Sequence, residues 1–222
     1  MFEDIDKYCE RLTPALWGEP VNIASNFAFL IAGFILLRLY RRRINVRVGK
    51  DWDIQALIVL LFIIGAGSSL WHIYAKSWSL YSDVIPILLF INIGILSCLY
   101  RLVRCSFSLT AGIFLLYQLF NYSLQSAFDE NFLNGSIFYL PTWLLLIGMS
   151  LFLRRGDIAL SQQFLGICVI FTFSLVFRTI DLGVCNSIPI GTHFIWHIMS
   201  AYMMYLLVRI LIMNTYQINQ SN

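Results

Sequence analysis

The sequence predicts an all-α integral membrane protein, a seven-transmembrane helix bundle with its N-terminus outside and its C-terminus cytosolic. Three observations carry that prediction. The 222 residues are 59% hydrophobic and only 12% charged, with a mean hydropathy of +0.75, too apolar for a soluble domain of this length. Apolar runs of about 18 to 20 residues, the length that crosses a hydrocarbon core of about 30 Å, recur along the whole chain. Period-two alternation is lacking, so helices are preferred over a membrane barrel.

The elements follow in order. Residues 1–20 read as a short extramembrane segment of mixed charge, without the basic and apolar blocks of a cleavable signal peptide. Spans are expected at 21–39, 54–72, 83–100, 107–125, 136–153, 160–178 and 192–213. Pro20, Pro86, Pro141 and Pro189 suit helix starts or approaches, where a missing N–H costs nothing. The polar tail 214–222, NTYQINQSN, is expected to fray. Short connections, with no linker and no internal repeat, make residues 1–222 a single domain.

Orientation follows the short-loop lysines and arginines. With the first connection inside, Arg38, Arg41, Arg42, Arg43, Arg47, Lys50, Arg101, Arg104, Arg154, Arg155 and Arg209 fall on the cytosolic side, leaving Lys7, Arg11, Lys76 and Arg178 outside. Glu3, Asp4, Asp6 and Glu10 also lie outside. The net charge of +3 thus reflects an inner basic belt, and no stacking or groove motif points to nucleic acid.

Topology sorts the five cysteines. Cys98, Cys105 and Cys168 fall in spans or at the inner face, where structural thiols are expected. Cys9 and Cys185 both fall outside, which leaves a disulfide and two free thiols equally open.

The three histidines of the chain are its most informative residues. His193 and His197 are four apart in THFIWH, so on a helix both rings leave from one face, a geometry that lets two nitrogens share a metal. His72, Asp83 and the two later histidines all fall at the outer ends of spans, at one membrane depth, although the orientation was fixed by arginines alone. Ser68 lies one turn before His72 in GAGSSLWH, where Gly65 and Gly67 permit close helix approach. Three imidazoles and a water make the open tetrahedron of hydrolytic zinc. Asp83 can then move a proton and Ser68 can donate to an oxyanion. The competing reading makes the histidines interfacial hydrogen bonders and Asp83 a helix cap.

Other polar groups read as packing. Asn22, Ser25 and Asn26 on the first span, and Gln118, Asn121 and Gln125 on the fourth, are stripes expected to hydrogen-bond between helices. Arg178 and Asp181 can pair across one turn, and Trp196 can support the neighbouring histidines.

The ordered set GSSLWH, Asp83 and HFIWH, with YCE, WGEPVNIASN and RTIDLGVC elsewhere, resembles the alkaline ceramidase family. That family belongs to a wider group of seven-helix zinc hydrolases that includes the adiponectin receptors. The resemblance implies zinc on His72, His193 and His197, catalytic roles for Ser68 and Asp83, a disulfide between Cys9 and Cys185, and hydrolysis of ceramide or a related N-acyl lipid to a free amine and a fatty acid. Animal members also bind calcium with their N-terminal segment. Tyr8, Glu10 and Glu19 match that site, whereas Lys7 and Leu12 stand where it has oxygen ligands, leaving Asp4 or Asp6 as substitutes. The partner is then a membrane lipid substrate. The rivals are a receptor or sensor with a structural zinc, and a metal-free scaffold or transporter; short loops and the lack of inverted repeats weigh against them.

Overall fold

The computed structural model describes residues 5, 7–13, 15–43 and 51–221, with side chains described to Asn214. Glu3, Asp4, Asp6, Arg47 and Lys50 of the sequence reading lie outside the described residues. Every described element is helical: α1 (Pro20–Ser25), α2 (Phe27–Arg43), α3 (Trp52–Tyr74), α4 (Ser77–Arg101), α5 (Phe107–Ala127), a 3-10 segment (Phe132–Tyr139), α6 (Leu140–Leu153), α7 (Ile158–Ile180), a 3-10 turn (Asp181–Gly183) and α8 (His193–Ser221).

Six of these stretches are long and apolar enough to cross a membrane: Pro20–Arg43, Trp52–Tyr74, Ser77–Arg101, Phe132–Leu153, Ile158–Gly183 and His193–Asn214. The seventh expected span coincides with α5, which is 21 residues long but carries Gln118, Asn121, Ser123, Gln125 and Ser126. These polar residues keep α5 out of the apolar set.

Burial explains why helices form where hydropathy alone is uniform. Leu57, Leu61 and Ile64 of α3, Phe90 and Ile95 of α4, Phe164 and Phe171 of α7, and Val208 and Leu211 of α8 fill one core. Helix α8 packs against α2, α3, α4 and α7, so it stands at the bundle's centre. Large apolar side chains also line the outside, among them Ile31, Phe34, Leu116, Leu119, Phe152 and Phe173. Helices apolar on both faces need a hydrocarbon solvent.

At one end of the bundle, helix termini are tied by charge. Arg101 at the end of α4 pairs with Asp53 (2.7 Å) and Asp51 (3.1 Å) at the start of α3, and Ser97 donates to Asp53. At the opposite end the Ile5 N–H donates to the Ala75 carbonyl just past α3, so the N-terminal segment lies over that rim.

Four local expectations are corrected. α4 begins at Ser77, about two turns before the expected start, because Ser79 bonds back to Lys76 and turns polar sequence into helix outside the apolar run. Pro86 is therefore inside α4 rather than in its first turn. Asp83 is inside α4 as well, so it does not cap that helix. α8 continues through the polar tail to Ser221, where fraying was expected.

Candidate metal centre

α3 presents His72 in its last turn, and α8 presents His193 and His197 from its first two turns. The three side chains are almost fully buried, at 0%, 2% and 2% exposure. Each offers a ligand atom within 4.8 Å of the others'. Among the described residues this is the one group of three or more His, Cys, Asp or Glu able to gather on a metal ion.

Hydrogen bonding decides which nitrogens face inward. Ser25 Oγ donates to the Asn22 carbonyl at 2.7 Å, which uses its one proton, so it accepts from His197 Nδ1 at 2.7 Å. Glu19 accepts from His72 Nδ1 at 2.5 Å. Both Nδ1 atoms are thus N–H donors, and in the neutral rings both Nε2 atoms carry bare lone pairs. Those two Nε2 atoms lie 3.2 Å apart. Two lone pairs at that distance repel unless a cation sits between them, and tetrahedral ligands at about 2.0 Å from a shared zinc would be separated by roughly 3.3 Å. His193 Nδ1 is buried without any protein partner, as expected of a nitrogen kept for another ligand. The residues fit a metal.

Two of the supporting partners were not singled out for this role by sequence. Glu19 orients His72, the carboxylate–histidine pairing that fixes tautomer and basicity in metal sites. Burial opposes ionisation of Glu19, but hydrogen bonds from His72, Asn22 and Arg11 stabilise the carboxylate and hold it below its usual range. Ser25 does the same for His197, which gives the first polar stripe its expected inter-helix bond. The other stripe bonds through Gln118 to Asn92 of α4.

Asp181 was expected to pair with Arg178, and this is corrected. Asp181 Oδ1 instead accepts from the N–H groups of Thr192 (2.6 Å) and His193 (2.9 Å), and Oδ2 accepts from Cys9 N–H (3.2 Å). Its carboxylate caps the start of α8, where the unpaired N–H groups of a helix concentrate, so it outcompetes a local side-chain pair. Arg178 donates to the Asn134 carbonyl and lies over the rings of Trp196 and Tyr139, at 5.2 and 5.8 Å.

Cys9 and Cys185 form a disulfide, which links the N-terminal segment to the connection before α8. Tyr8, next to Cys9, stacks on His193 with ring centroids 3.9 Å apart. Burial pushes the Tyr8 hydroxyl up to about 12, partly offset by Arg178. Of the residues matched to calcium, Glu10 accepts from the Val21 and Asn22 N–H groups and caps α1, Glu19 serves His72, and the Tyr8 hydroxyl accepts from Trp71. Their side-chain oxygens are engaged by protein donors.

Asp83 lies beside the cluster, within electrostatic reach of His72 and hydrogen-bonding reach of Ser68. Its Oδ1 is buried without a partner. One turn further into the bundle an apolar cavity opens, walled by Ile87, Gly94 and Cys98 of α4, Tyr139, and Trp196 and Ser200 of α8. All the residues expected to carry chemistry therefore meet at one end of the bundle, above an apolar space. No family model matches this chain, and no curated protein matches it either.

Proposed function

We propose that the protein is a seven-span, zinc-dependent membrane amidase of the alkaline ceramidase type, cleaving ceramide or a related N-acyl lipid. The observation that carries this reading is the Asp83 carboxylate, with one oxygen unsatisfied, beside three convergent imidazoles. A buried carboxylate left unpaired costs several kcal/mol, about 1–3 for a neutral group and more for a charged one, so it calls for a reacting partner.

His72, His193 and His197 would hold a zinc ion, which when bound would supply Lewis acidity to the reacting water and carbonyl. Asp83 Oδ1 takes a proton from the attacking water and returns it to the departing amine nitrogen, so amide and water become a carboxylic acid and an amine. The Ser68 hydroxyl donates to the oxygen that gains charge as the carbonyl becomes tetrahedral. Glu19 and Ser25 hold two of the rings in the tautomer that faces Nε2 inward.

The apolar cavity supports a lipid substrate. It begins one turn below Asp83 on α4 and beside His197, at Trp196, on α8, so an acyl chain threaded among the helices would present its amide at the histidines. α5 serves as the seventh span, its polar face turned to α4 through Gln118 and Asn92. Seven spans set the histidine end outside and the arginine-rich end, with Arg41, Arg42, Arg43, Arg101, Arg154 and Arg155, in the cytosol.

Purified protein incubated with N-acyl lipids should release fatty acid, and His72→Ala and Asp83→Asn should each lower the rate at least 100-fold. Wild-type rates in either variant would refute the reading.

A further inference from the structure

Arg11 is 7% exposed, and its guanidinium makes three contacts. Nε donates to Glu19 Oε1 at 2.5 Å, one terminal nitrogen donates to the His72 carbonyl at 2.6 Å, and the other reaches the Ala15 carbonyl at 3.4 Å. Glu19 in turn uses its other oxygen on His72 Nδ1. The contacts close a circuit: Arg11 to Glu19, Glu19 to the His72 ring, the His72 backbone back to Arg11.

Each link answers a local demand. The His72 carbonyl is among the last of α3, which ends at Tyr74, and such carbonyls have no helical donor. The neighbouring Trp71 carbonyl is taken by Ala75 N–H, so Arg11 supplies the donor for His72. A cation there also meets the negative end of the helix. Glu19, 1% exposed, needs a compensating charge, and the planar fork of a guanidinium can serve a carboxylate and a carbonyl at once, which an ammonium cannot do in the same geometry. The neighbours of Arg11 are fixed too, Glu10 by capping α1 and Cys9 by its disulfide.

We infer that Arg11 is a positioning residue for the metal centre: one guanidinium grips His72 at both ends, through its backbone directly and through its imidazole by way of Glu19. The direction of His72 Nε2, and with it metal affinity, depends on Arg11. This rests on reading the three histidines as a metal site. It also means that a second cation at Glu19 would have to displace Arg11.

The test measures zinc affinity by chelator competition on the full-length protein, as wild type, Arg11→Gln, Arg11→Lys, Glu19→Gln and the Arg11→Gln/Glu19→Gln double variant. Formation of the Cys9–Cys185 disulfide and the unfolding midpoint report the fold. Loss of an outer partner of a ligand histidine is expected to weaken zinc binding about 10- to 100-fold in Arg11→Gln, with a smaller loss in Arg11→Lys. The double variant should lose less than the product of the two single losses, because both residues act on His72. Folded Arg11→Gln protein with wild-type zinc affinity overturns the proposal, as do losses that multiply in the double variant. Should Arg11→Gln fail to fold, unchanged affinity in Arg11→Lys overturns it equally. Absence of zinc binding by the wild type would instead remove the metal reading itself, and Arg11's role with it.

Discussion

Gly67 of α3 packs its bare α-carbon against the backbone carbonyl of Ser82 on α4. Pro86, four residues after Ser82, has no N–H to give that carbonyl, so α4 carries a freed oxygen at this turn. Gly67 lets the oxygen approach, and Ser82 Oγ returns a hydrogen bond to the Gly67 carbonyl at 3.1 Å. This contact sits one residue from Ser68 and one from Asp83, so it sets the spacing of the two groups.

A β-carbon at Gly67 would collide with the Ser82 backbone, which cannot swing aside as a side chain can. Gly67→Ala should destabilise the protein by about 1–3 kcal/mol, the usual cost of overpacking. It should also lower activity more than Gly148→Ala, whose added carbon meets nothing within 4 Å. Denaturation in detergent and paired activity assays check both. Equal behaviour of the two variants would contradict this account of the contact.

Reduction of the Cys9–Cys185 bond, or Cys9→Ser with Cys185→Ser, removes a cross-link between residues 176 apart. The expected cost is about 2–5 kcal/mol. Because Tyr8 stacks on His193 beside this bond, zinc should also be lost at lower chelator concentration than in the wild type. Metal titration of oxidised and reduced protein measures the difference.

The cavity wall at Gly94 should set acyl-chain preference. An added β-carbon there meets Leu207 at 3.3 Å, and Cys98 one turn further ends the wall just above the Asp53–Ser97–Arg101 cluster. Gly94→Leu should shift preference to shorter N-acyl substrates with zinc content unchanged. Competition between short- and long-chain amides reads this out.

Glu19 is held below its usual range, so the sign of its pH effect is fixed. Its contribution to stability is complete above about 4.5, the ordinary carboxyl value, and is lost as pH falls through the depressed folded value. Unfolding midpoints of the wild type should therefore fall more steeply below that pH than those of Glu19→Gln. Parallel curves would show that Glu19 is not so held.

Much of this was legible in the chain. The gathering of His72, His193 and His197, with Ser68 and Asp83 beside them, was legible because ionisable groups in apolar runs are costly and because i to i+4 spacing gives one face. The pairing of Cys9 with Cys185 was open on topology and followed from the resemblance alone. Glu19 was missed as a partner of His72 because it lies 53 residues away in sequence, and its carboxylate carries no local pattern. Asp181 was misassigned because the nearest opposite charge, Arg178, is visible in sequence whereas the unpaired N–H groups of α8 are not. The early start of α4 was invisible to hydropathy, since Lys76, Ser77 and Ser79 are polar and the hydrogen bonds between Lys76 and Ser79 that extend the helix leave no trace in it.

Metal analysis of the purified, disulfide-bonded protein tests the central claim most directly. The account predicts about one zinc per chain, as a single three-histidine site holds, and its loss in His197→Ala with the fold intact. Folded wild-type protein that takes up no metal at micromolar zinc, or His197→Ala protein that retains it, would contradict the account.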